Sequence, residues 1–529
     1  MGFIIADRNQ EHVFGYRIDD FVEKDSKCRY MLEIIEQLDL QKLYRKYSNQ
    51  GAEKYDPKIL LAIWFLAYCE GITSSRQVEK LCKKHMDFIY ISGNLRPDHS
   101  TLCRFIQRNR ELWPVYFLEI LSFAKKKKVS DFKSIMIDGT KIRAKSSKKQ
   151  SMREPKLNRY LERVKEDIKQ YEEELGKLEG SEKVEEAEEL NNKVNKLKKK
   201  ESLLEDRQKE LQKRKENLQA KDRKNHQINL QEEEAYMMDL GAGKGYAPGY
   251  NAQIAVDSKT QLIVSCEVVQ ARNDEKQFSE MHKSVENNLG YDKERLYAAD
   301  SGYHSFEQVE YAVTNNVNAY IGDPKLKNYK EMTFEELQSS GQKISRPDFK
   351  YNEQEDHYTC PAGNKLEFKS ENISTKERLY ICKQCSECPI KDQCLSTKNK
   401  KGHRKIVRDF REQYAEVIRS KMRGEKAEEV LMTRQTTVEP VIGNMKENLG
   451  FTRFRSKGLF NAMSEYALMC IAHNLNKLYR LVFCSIFVQT KAKLYFLHLL
   501  TGFVRRIKTL FNDITVQQNY TTCVNFSIA

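Results

Sequence analysis

The sequence predicts a mixed α/β core that is preceded by a helical domain and interrupted by two insertions. Two short apolar runs rich in β-forming residues, Ile135 to Ile137 and Leu296 to Ala299, lead directly to Asp138 and Asp300. Segments typical of strands and of helices alternate around these runs, which indicates a sheet covered by helices. A heptad pattern and a cysteine-rich stretch break this alternation.

Residues 1–125 are predicted to form a helical domain. Tyr55-Asp56-Pro57 begins an apolar run, and residues 73–75 (Thr-Ser-Ser) precede a second helical pattern. A third pattern follows Pro97-Asp98 and contains Arg104. Successive short helices with exposed basic residues are typical of helix-turn-helix-like domains, so we expect Arg104 to contact DNA. An all-helical packing or dimerisation domain is the alternative.

Three segments, 130–150, 228–325 and 406–480, are predicted to form the α/β core. Two β-rich runs joined at Ser258-Lys259-Thr260 predict a hairpin, and strand and helix patterns alternate after it. This order of elements predicts a mixed sheet. It fits the ribonuclease-H-like core, in which acidic residues gather at adjacent strand ends.

Residues 151–227 predict a coiled-coil hairpin. Apolar residues recur in alternating steps of four and three from Leu157 to Leu178, and every seven residues from Leu190 to Leu218. The second series begins after Gly176 and Gly180, which mark a turn, so the helices should pair in opposite directions. Basic and acidic residues balance between 151 and 220, so the basic excess of the chain lies elsewhere. A solvated spacer or a dimer contact is therefore favoured over DNA binding.

Residues 326–405 form a polar, cysteine-rich insertion that we expect to resemble a zinc ribbon. Its candidate ligands are Cys360, Cys382, Cys385, Cys388 and Cys394. Four thiolates complete a structural Zn²⁺ site, and the spacing does not decide which four bind. An iron–sulfur cluster and the absence of a metal are the alternatives. After the core, residues 481–529 are predicted to form a helical tail.

Three acidic residues fit one metal-dependent active site. Asp138 and Asp300 are each expected at a strand end, and Glu439, which precedes Pro440, is expected in the first turn of a helix. Carboxylates from separate elements are the ligands that a pair of Mg²⁺ (or Mn²⁺) ions requires. The formal charge of +15 points to a polyanionic partner, double-stranded DNA.

Basic residues near Glu439 are candidate phosphate contacts. Lys446 follows it by seven residues, which is two turns of an uninterrupted helix, so the two should share a face. A further basic run has phenylalanines interleaved, as expected for phosphate contact and base stacking, and comprises Phe451, Arg453, Phe454, Arg455 and Lys457. A charged surface is the alternative. The N-terminal segment MGFIIADRNQEH lacks the pattern of a signal peptide, so a cytosolic location is expected.

Several of these segments resemble bacterial insertion-sequence DDE transposases, most closely the group numbered eleven-eighty-two. TVEPVIGNMKENLGF places a glutamate and a lysine at the family's spacing, at Glu439 and Lys446. MIDGTKIRA and AADSGYHS resemble the segments that carry the family's two aspartates, which are Asp138 and Asp300 here. PGYNAQIAVD, PDHSTLCRF and the cysteine insertion also match, so the resemblance covers about residues 1–480.

The resemblance implies a ribonuclease-H-like enzyme that binds the inverted repeats of its element and carries out cut-and-paste strand transfer with two Mg²⁺ or Mn²⁺ ions. It also implies a dimer or larger synaptic assembly in the bacterial cytoplasm, near the nucleoid. The wider superfamily has an arginine four residues before the glutamate; Gln435 stands there and Arg434 precedes it, so the DNA-binding role is expected of Arg434. A structure-selective nuclease and a silent DNA-binding regulator are the alternative functions.

Overall fold

A computed structural model describes residues 3–4, 17–47, 54–178, 184–216, 218, 223–241, 243, 245–324, 333–395 and 402–484. The chain divides into two compact units. The first comprises residues 1–112, 119–129 and 471–529, and the second comprises residues 113–118 and 130–470. No helix within the described ranges is long and apolar enough to cross a membrane.

The first unit is helical, as the sequence predicts. Its helices, with one that continues into the second unit, are α1 (Lys27–Ile35), α2 (Gln41–Tyr44), α3 (Pro57–Cys69), α4 (Ser75–Lys84), α5 (Met86–Ser92), α6 (His99–Arg108) and α7 (Trp113–Lys126). A short parallel pair joins β1 (Phe3–Ile4) to β2 (Lys54–Tyr55). Helix α3 begins where Asp56 accepts a hydrogen bond from the Lys58 N–H, and its side chains are nearly all buried. Asp98 caps α6 in the same way.

A six-stranded mixed sheet forms the centre of the second unit. Its strands are β3 (Ser134–Arg143), β6 (Tyr236–Asp239), β7 (Tyr246–Asp257), β8 (Ile263–Val269), β9 (Leu296–Ala299) and β10 (Asn318–Ile321). The order is β10-β9-β3-β7-β6, and β8 also pairs with β7. Strands β3, β9 and β10 run parallel, whereas β7 is antiparallel to β3, β6 and β8. The predicted hairpin is therefore confirmed as β7 and β8.

Helices flank this sheet. They are α10 (Phe278–Leu289), α11 (Phe306–Thr314), α14 (Glu412–Met422) and α15 (Glu425–Gly443). Helix α15 packs against β3 and β9, and α10 packs against β7 and β8. A π-helix, Asn444–Asn448, continues α15, and α16 (Leu459–Leu478) is followed by a second π-helical segment, Tyr479–Cys484. The rest of the predicted tail lies outside the described residues.

Two long helices, α8 (Glu154–Leu178) and α9 (Val184–Glu216), form the first insertion. They are antiparallel, because Lys198 pairs with Glu172 and the Gln208 amide donates to Asn158. Their buried leucines fall at heptad positions nearest the sheet, whereas the heptad residues towards the far end are only half-buried. At the base, β4 (Ser151–Arg153) pairs with β5 (Gln227–Asn229). The supercoil of a coiled coil stays a prediction.

The cysteine-rich insertion contains its own antiparallel sheet. Its strands, in spatial order, are β11 (Lys350–Asn352), β12 (His357–Thr359), β13 (Lys365–Asn372), β14 (Glu377–Cys382) and β15 (Lys405–Asp409). Two helices, α12 (Phe334–Ser340) and α13 (Lys391–Cys394), accompany it. Its small core combines aromatic and aliphatic residues with the cysteines. This insertion therefore has a core of its own.

Candidate active site

Asp138 and Asp300 come together because β3 and β9 are parallel neighbours. The last aligned pair of this ladder is Met136 with Ala298, and each aspartate stands two residues beyond it. Asp300 follows β9 immediately, as predicted. The prediction that Asp138 ends its strand is wrong, because β3 continues to Arg143 by pairing with β7. The two carboxylates therefore meet where β9 stops and β3 runs on.

The guanidinium of Arg434 lies between these two carboxylates. Its Nη2 is 2.9 Å from Asp138 Oδ1 and 3.7 Å from Asp300 Oδ2. Its Nε donates to the Ile137 carbonyl at 3.1 Å, which anchors the side chain to β3. Arg434 and Asp138 are 11% and 17% exposed, while Asp300 is 47% exposed. One carboxylate is thus enclosed and the other faces solvent.

Asp138 ionises less readily than an ordinary aspartate. Burial is the main cause, and the negative charges of Asp300 and Asp274 add to it, so the pKa of Asp138 rises to about 6. Arg434 and the Gly139 N–H act in the opposite direction without cancelling this shift. Closely placed carboxylates with a raised pKa are typical of functional sites.

Glu439 does not occupy the first turn of its helix, so that prediction is wrong. Helix α15 begins at Glu425, and Glu439 falls near its C-terminal end, where the helix dipole disfavours a carboxylate. Pro440 lies inside the helix, and its missing N–H leaves the Thr436 carbonyl without its usual intrahelical donor. The Gln261 amide donates to that carbonyl at 3.5 Å. This contact, at the long end of the hydrogen-bond range, gives the Thr436 carbonyl a partner on another segment.

Glu439 is exposed, and it makes no hydrogen bond or ion pair with the described residues. Along the chain, Glu439 nevertheless lies between two residues that contact β3. Arg434 contacts Ile137 and Asp138, whereas the Lys446 ammonium donates to the Thr140 hydroxyl. The predicted two-turn register between Glu439 and Lys446 does not hold, because residues 444–448 wind as a π-helix.

A third aspartate near the site, Asp274, is missing from the sequence-based prediction. Its Oδ1 accepts from the side-chain amides of Asn251 and Gln253, each at 2.7 Å. The Lys141 ammonium lies 3.2 Å from both of its oxygens. The Tyr303 hydroxyl donates to Gln253, so this network reaches the turn that follows Asp300. Asp274 therefore links β3, β7 and the Asp300 turn.

Gly139 makes room for this network. A Cβ at this position would lie 2.6 Å from Asp274 Oδ1 and would also strike the Gln253 amide. Strand alternation places Gly139 and Lys141 on one face of β3 and Asp138 and Thr140 on the other. The sequence did hold a signal: Asn251 and Gln253 are polar residues in a strand, β7, that is largely apolar.

The five cysteines of the second insertion line one pocket, together with Ile344, Phe349, Ile390 and Leu395. Backbone N–H groups of Asn364 and Arg404 point at the sulfurs of Cys360 and Cys385, each at 3.3 Å. Burial raises the pKa of the Cys382 thiol to about 12 and that of Cys394 to about 11. The pocket thus holds thiols, with donors placed to stabilise thiolates.

The described residues contain no group of three or more histidine, cysteine, aspartate or glutamate side chains arranged to hold a metal ion. Both predicted metal sites nevertheless have fitting donors. At the sheet, a cation (the guanidinium of Arg434) already lies between two carboxylates. In the insertion, five thiols share one pocket. The donor types suit Mg²⁺ or Mn²⁺ and Zn²⁺, respectively.

The other basic residues divide into two groups. The Arg453 guanidinium donates to the carbonyls of Ala144, Lys145 and Ser146, which gives it a role in holding the chain after β3. The interleaved phenylalanines, 451 and 454, are buried and pack on Tyr466 and Tyr250, so they cannot stack on bases. Arg104, Arg455 and Lys457 are exposed, so their side chains can reach DNA.

Two protein families match separate parts of the chain. The family model described as Transposase DDE domain matches residues 359–479, and the one described as Transposase domain (DUF772) matches residues 16–108. Both matches are to transposase domains, and together they indicate a bacterial insertion-sequence DDE transposase. No curated protein and no solved structure matches it.

The two matches cover different parts of the chain and different predicted site residues. The DDE match contains Glu439, Lys446 and the five cysteines, and the other match covers the helical N-terminal region through α6. Asp138 and Asp300 lie outside both. Their assignment therefore rests on the parallel strands that bring them together. The DDE match implies a DNA-processing enzyme that acts by phosphoryl transfer.

Proposed function

We propose that this transposase cleaves DNA at the ends of its element and joins the freed 3′ ends to target DNA. The observation that carries this proposal is the pair of aspartates at adjacent parallel strands with Arg434 between them. Acidic residues gathered at such strand ends are what a ribonuclease-H-like core provides. The mixed sheet with three parallel strands supports that assignment.

Asp138 and Asp300 would hold the Mg²⁺ or Mn²⁺, and Glu439 would complete the ligand set for a pair of ions. Its position supports this role, because α15 is fixed to β3 through Arg434 on one side and continues to Lys446 on the other. Five residues of helix separate Glu439 from Arg434 by about 7.5 Å along the axis. When bound, the metal supplies an activated water and a Lewis acid for phosphoryl transfer.

The chain's own residues position the DNA. Lys446 is within reach of a phosphate beside Asp138, since it already touches Thr140 on the same strand face. Arg455 and Lys457 extend the basic surface beyond the π-helix, and Arg104 provides one on α6. We propose that the N-terminal helices bind the terminal inverted repeats and that two copies hold two ends together. Such a protein works in the bacterial cytoplasm, at the nucleoid.

The cysteine-rich insertion would bind one structural Zn²⁺ through four of its five cysteines. The shared pocket and the two N–H groups aimed at sulfur support this proposal. The small antiparallel sheet resembles the scaffold of a zinc ribbon. Assignment to the group numbered eleven-eighty-two stays a prediction.

The proposal is tested with supercoiled plasmid that carries the DNA flanking both sides of the reading frame. Purified protein and Mg²⁺ should yield cleavage at the flanks and joined products. Asp138→Asn and Glu439→Gln should each lose at least about 100-fold in cleavage rate. Glu428→Gln, which removes an exposed acid elsewhere on α15, is the matched control and should cleave normally.

Each outcome has a definite meaning. Cleavage by Asp138→Asn within about tenfold of the unmodified protein would reject the metal site. Cleavage without joined products would favour the structure-selective nuclease. Binding to the flanks without any cleavage would favour the silent regulator.

A further inference from the structure

Arg434 occupies the position that a cation shared by Asp138 and Asp300 would take. Its Nη2 lies 2.9 Å from one carboxylate and 3.7 Å from the other, and both contacts come from the same nitrogen. Its Nε is bound separately, to the Ile137 carbonyl. Nη2 therefore contacts the two carboxylates, while Nε is hydrogen-bonded to the backbone of β3.

A divalent ion and this guanidinium compete for the same oxygen. A guanidinium stays protonated in proteins, so it cannot be neutralised and has to move when a metal takes Asp138 Oδ1. We propose that Arg434 is an internal counter-ion that the catalytic metal displaces, and that the displaced guanidinium then binds a phosphate of the DNA. This inference rests on the proposed function, because it assumes that Asp138 and Asp300 bind the metal.

The burial of Arg434 explains why a phosphate follows. A guanidinium that is only 11% exposed is destabilised if it loses its carboxylate partners and finds no other anion. The hydrogen bond from Nε to the Ile137 carbonyl keeps the side chain beside the site. The displaced Nη2 therefore stays close enough to contact a phosphate of the DNA strand that reacts there. DNA phosphates provide the bidentate acceptor that arginine prefers.

Two binding events are thereby coupled. Metal binding frees Arg434 for a phosphate, and a bound phosphate removes the competitor of the metal, so each should strengthen the other by the same factor. Without DNA, the arginine lowers the affinity of the site for metal. The enzyme would therefore load its metal fully only on DNA.

Metal affinity without DNA is the direct test. Titration calorimetry with Mn²⁺ on the full chain should show about tenfold tighter binding by Arg434→Gln than by the unmodified protein, the lower end for one charge-assisted hydrogen bond. Lys426→Gln is the control, because it removes a positive charge from an exposed position at the other end of the same helix. Equal affinities of the two variants would overturn the inference.

A second measurement needs no variant. Phenylglyoxal modifies accessible arginines, and peptide mapping reports the extent at Arg434. Modification of Arg434 in the unmodified protein should rise severalfold when Mn²⁺ is added without DNA. An unchanged or reduced extent would contradict displacement, even if Arg434→Gln fails to fold.

The failure of this inference differs from the failure of the proposed function. If Asp138→Asn binds Mn²⁺ as tightly as the unmodified protein, the metal site itself is wrongly placed. If Asp138→Asn loses binding while Arg434→Gln leaves it unchanged, the metal site stands and only the displacement is rejected.

Discussion

The sheet site and the cysteine pocket differ in how much charge their candidate metal ligands carry. At the sheet, Asp138 is held beside Asp300 and Asp274, and Arg434 partly balances their charge. In the insertion, burial raises the pKa of Cys382 and Cys394, so these thiols carry no charge at neutral pH. The sheet site thus holds carboxylates whose ionised form is disfavoured by burial, whereas the thiols of the cysteine pocket stay uncharged unless a metal binds there.

This difference determines what each site contributes to stability. A structural zinc site is stabilised by its metal, because binding free energy adds to folding free energy. A charged site with a raised carboxyl pKa costs stability at neutral pH, a common property of functional sites. The comparison therefore predicts opposite responses when ligands are removed from the two regions.

The largest effect is expected from the cysteines. The double variant Cys382→Ser/Cys385→Ser should bind less than about half an equivalent of zinc, and its insertion should become sensitive to protease. Cys103→Ser, at an exposed cysteine on α6, is the control and should keep its zinc. A protease-resistant insertion in the double variant, or a brown protein that contains iron, would contradict the proposal that the insertion is stabilised by zinc.

The opposite response is expected from Asp138→Asn, which should stabilise the protein. The pKa of Asp138 is about 6 in the folded state against 3.8 for the ordinary group, so its ionised form costs at most about 3 kcal/mol above pH 6. The cost shrinks as pH falls from 6 towards 3.8, so the gain should be about half as large at pH 5.

Denaturant unfolding at pH 7 and pH 5, without added magnesium or manganese, measures this gain. Asp206→Asn provides the control, because that carboxylate is exposed on α9, away from the sheet site, and should change stability by less than about 0.5 kcal/mol. If Asp138→Asn destabilises the protein at pH 7, the sheet site is not a region of unfavourable charge.

A smaller effect tests how tightly the sheet site is packed. Gly139→Ala should destabilise the protein by about 1–3 kcal/mol, because the new Cβ would strike Asp274 and the Gln253 amide. Gly443→Ala, in helical backbone with open space around it, should be neutral or stabilising by about 0.5–1 kcal/mol. Equal effects in unfolding experiments would show that the space over Gly139 is not limiting.

The smallest effect belongs to the turn after Cys360. Gly363 has a φ of +80° and no atom within 4 Å of an added Cβ, so its role is conformational and not a matter of space. Gly363→Ala should cost about 1 kcal/mol, and Gly363→Asn should cost less. The midpoint of zinc-dependent unfolding would report both, and equal costs would point to packing instead.

Local patterns in the sequence predicted much of the fold. The hairpin of β7 and β8, the strand before Asp300 and the antiparallel pairing of α8 with α9 all follow from periodicity and turn residues. These features depend on neighbours in the chain, which the sequence displays directly. The aspartates could also be proposed, because a short apolar run followed by an acid is a visible pattern, although only Asp300 follows the end of its strand.

Features that depend on distant contacts were not predicted. Pro440 resembles a helix start, but α15 begins at Glu425 and packs against β3 and β9, which are distant in sequence. Asp274 gains its meaning from Lys141, Asn251 and Gln253, which lie on two strands. Phe451 and Phe454 alternate with basic residues like a nucleic-acid strip, yet they are buried against tyrosines. In each case the deciding partner lies far away in sequence.

The contact between Arg434 and Ile137 spans 297 residues, which bears on protein synthesis. At about 5–20 residues per second, a ribosome releases the arginine roughly 15–60 s after the strand that it will join. During that interval the growing polypeptide contains Asp138 but not helix α15, which packs beside it. A nascent chain therefore cannot complete this site until most of the polypeptide has been synthesised.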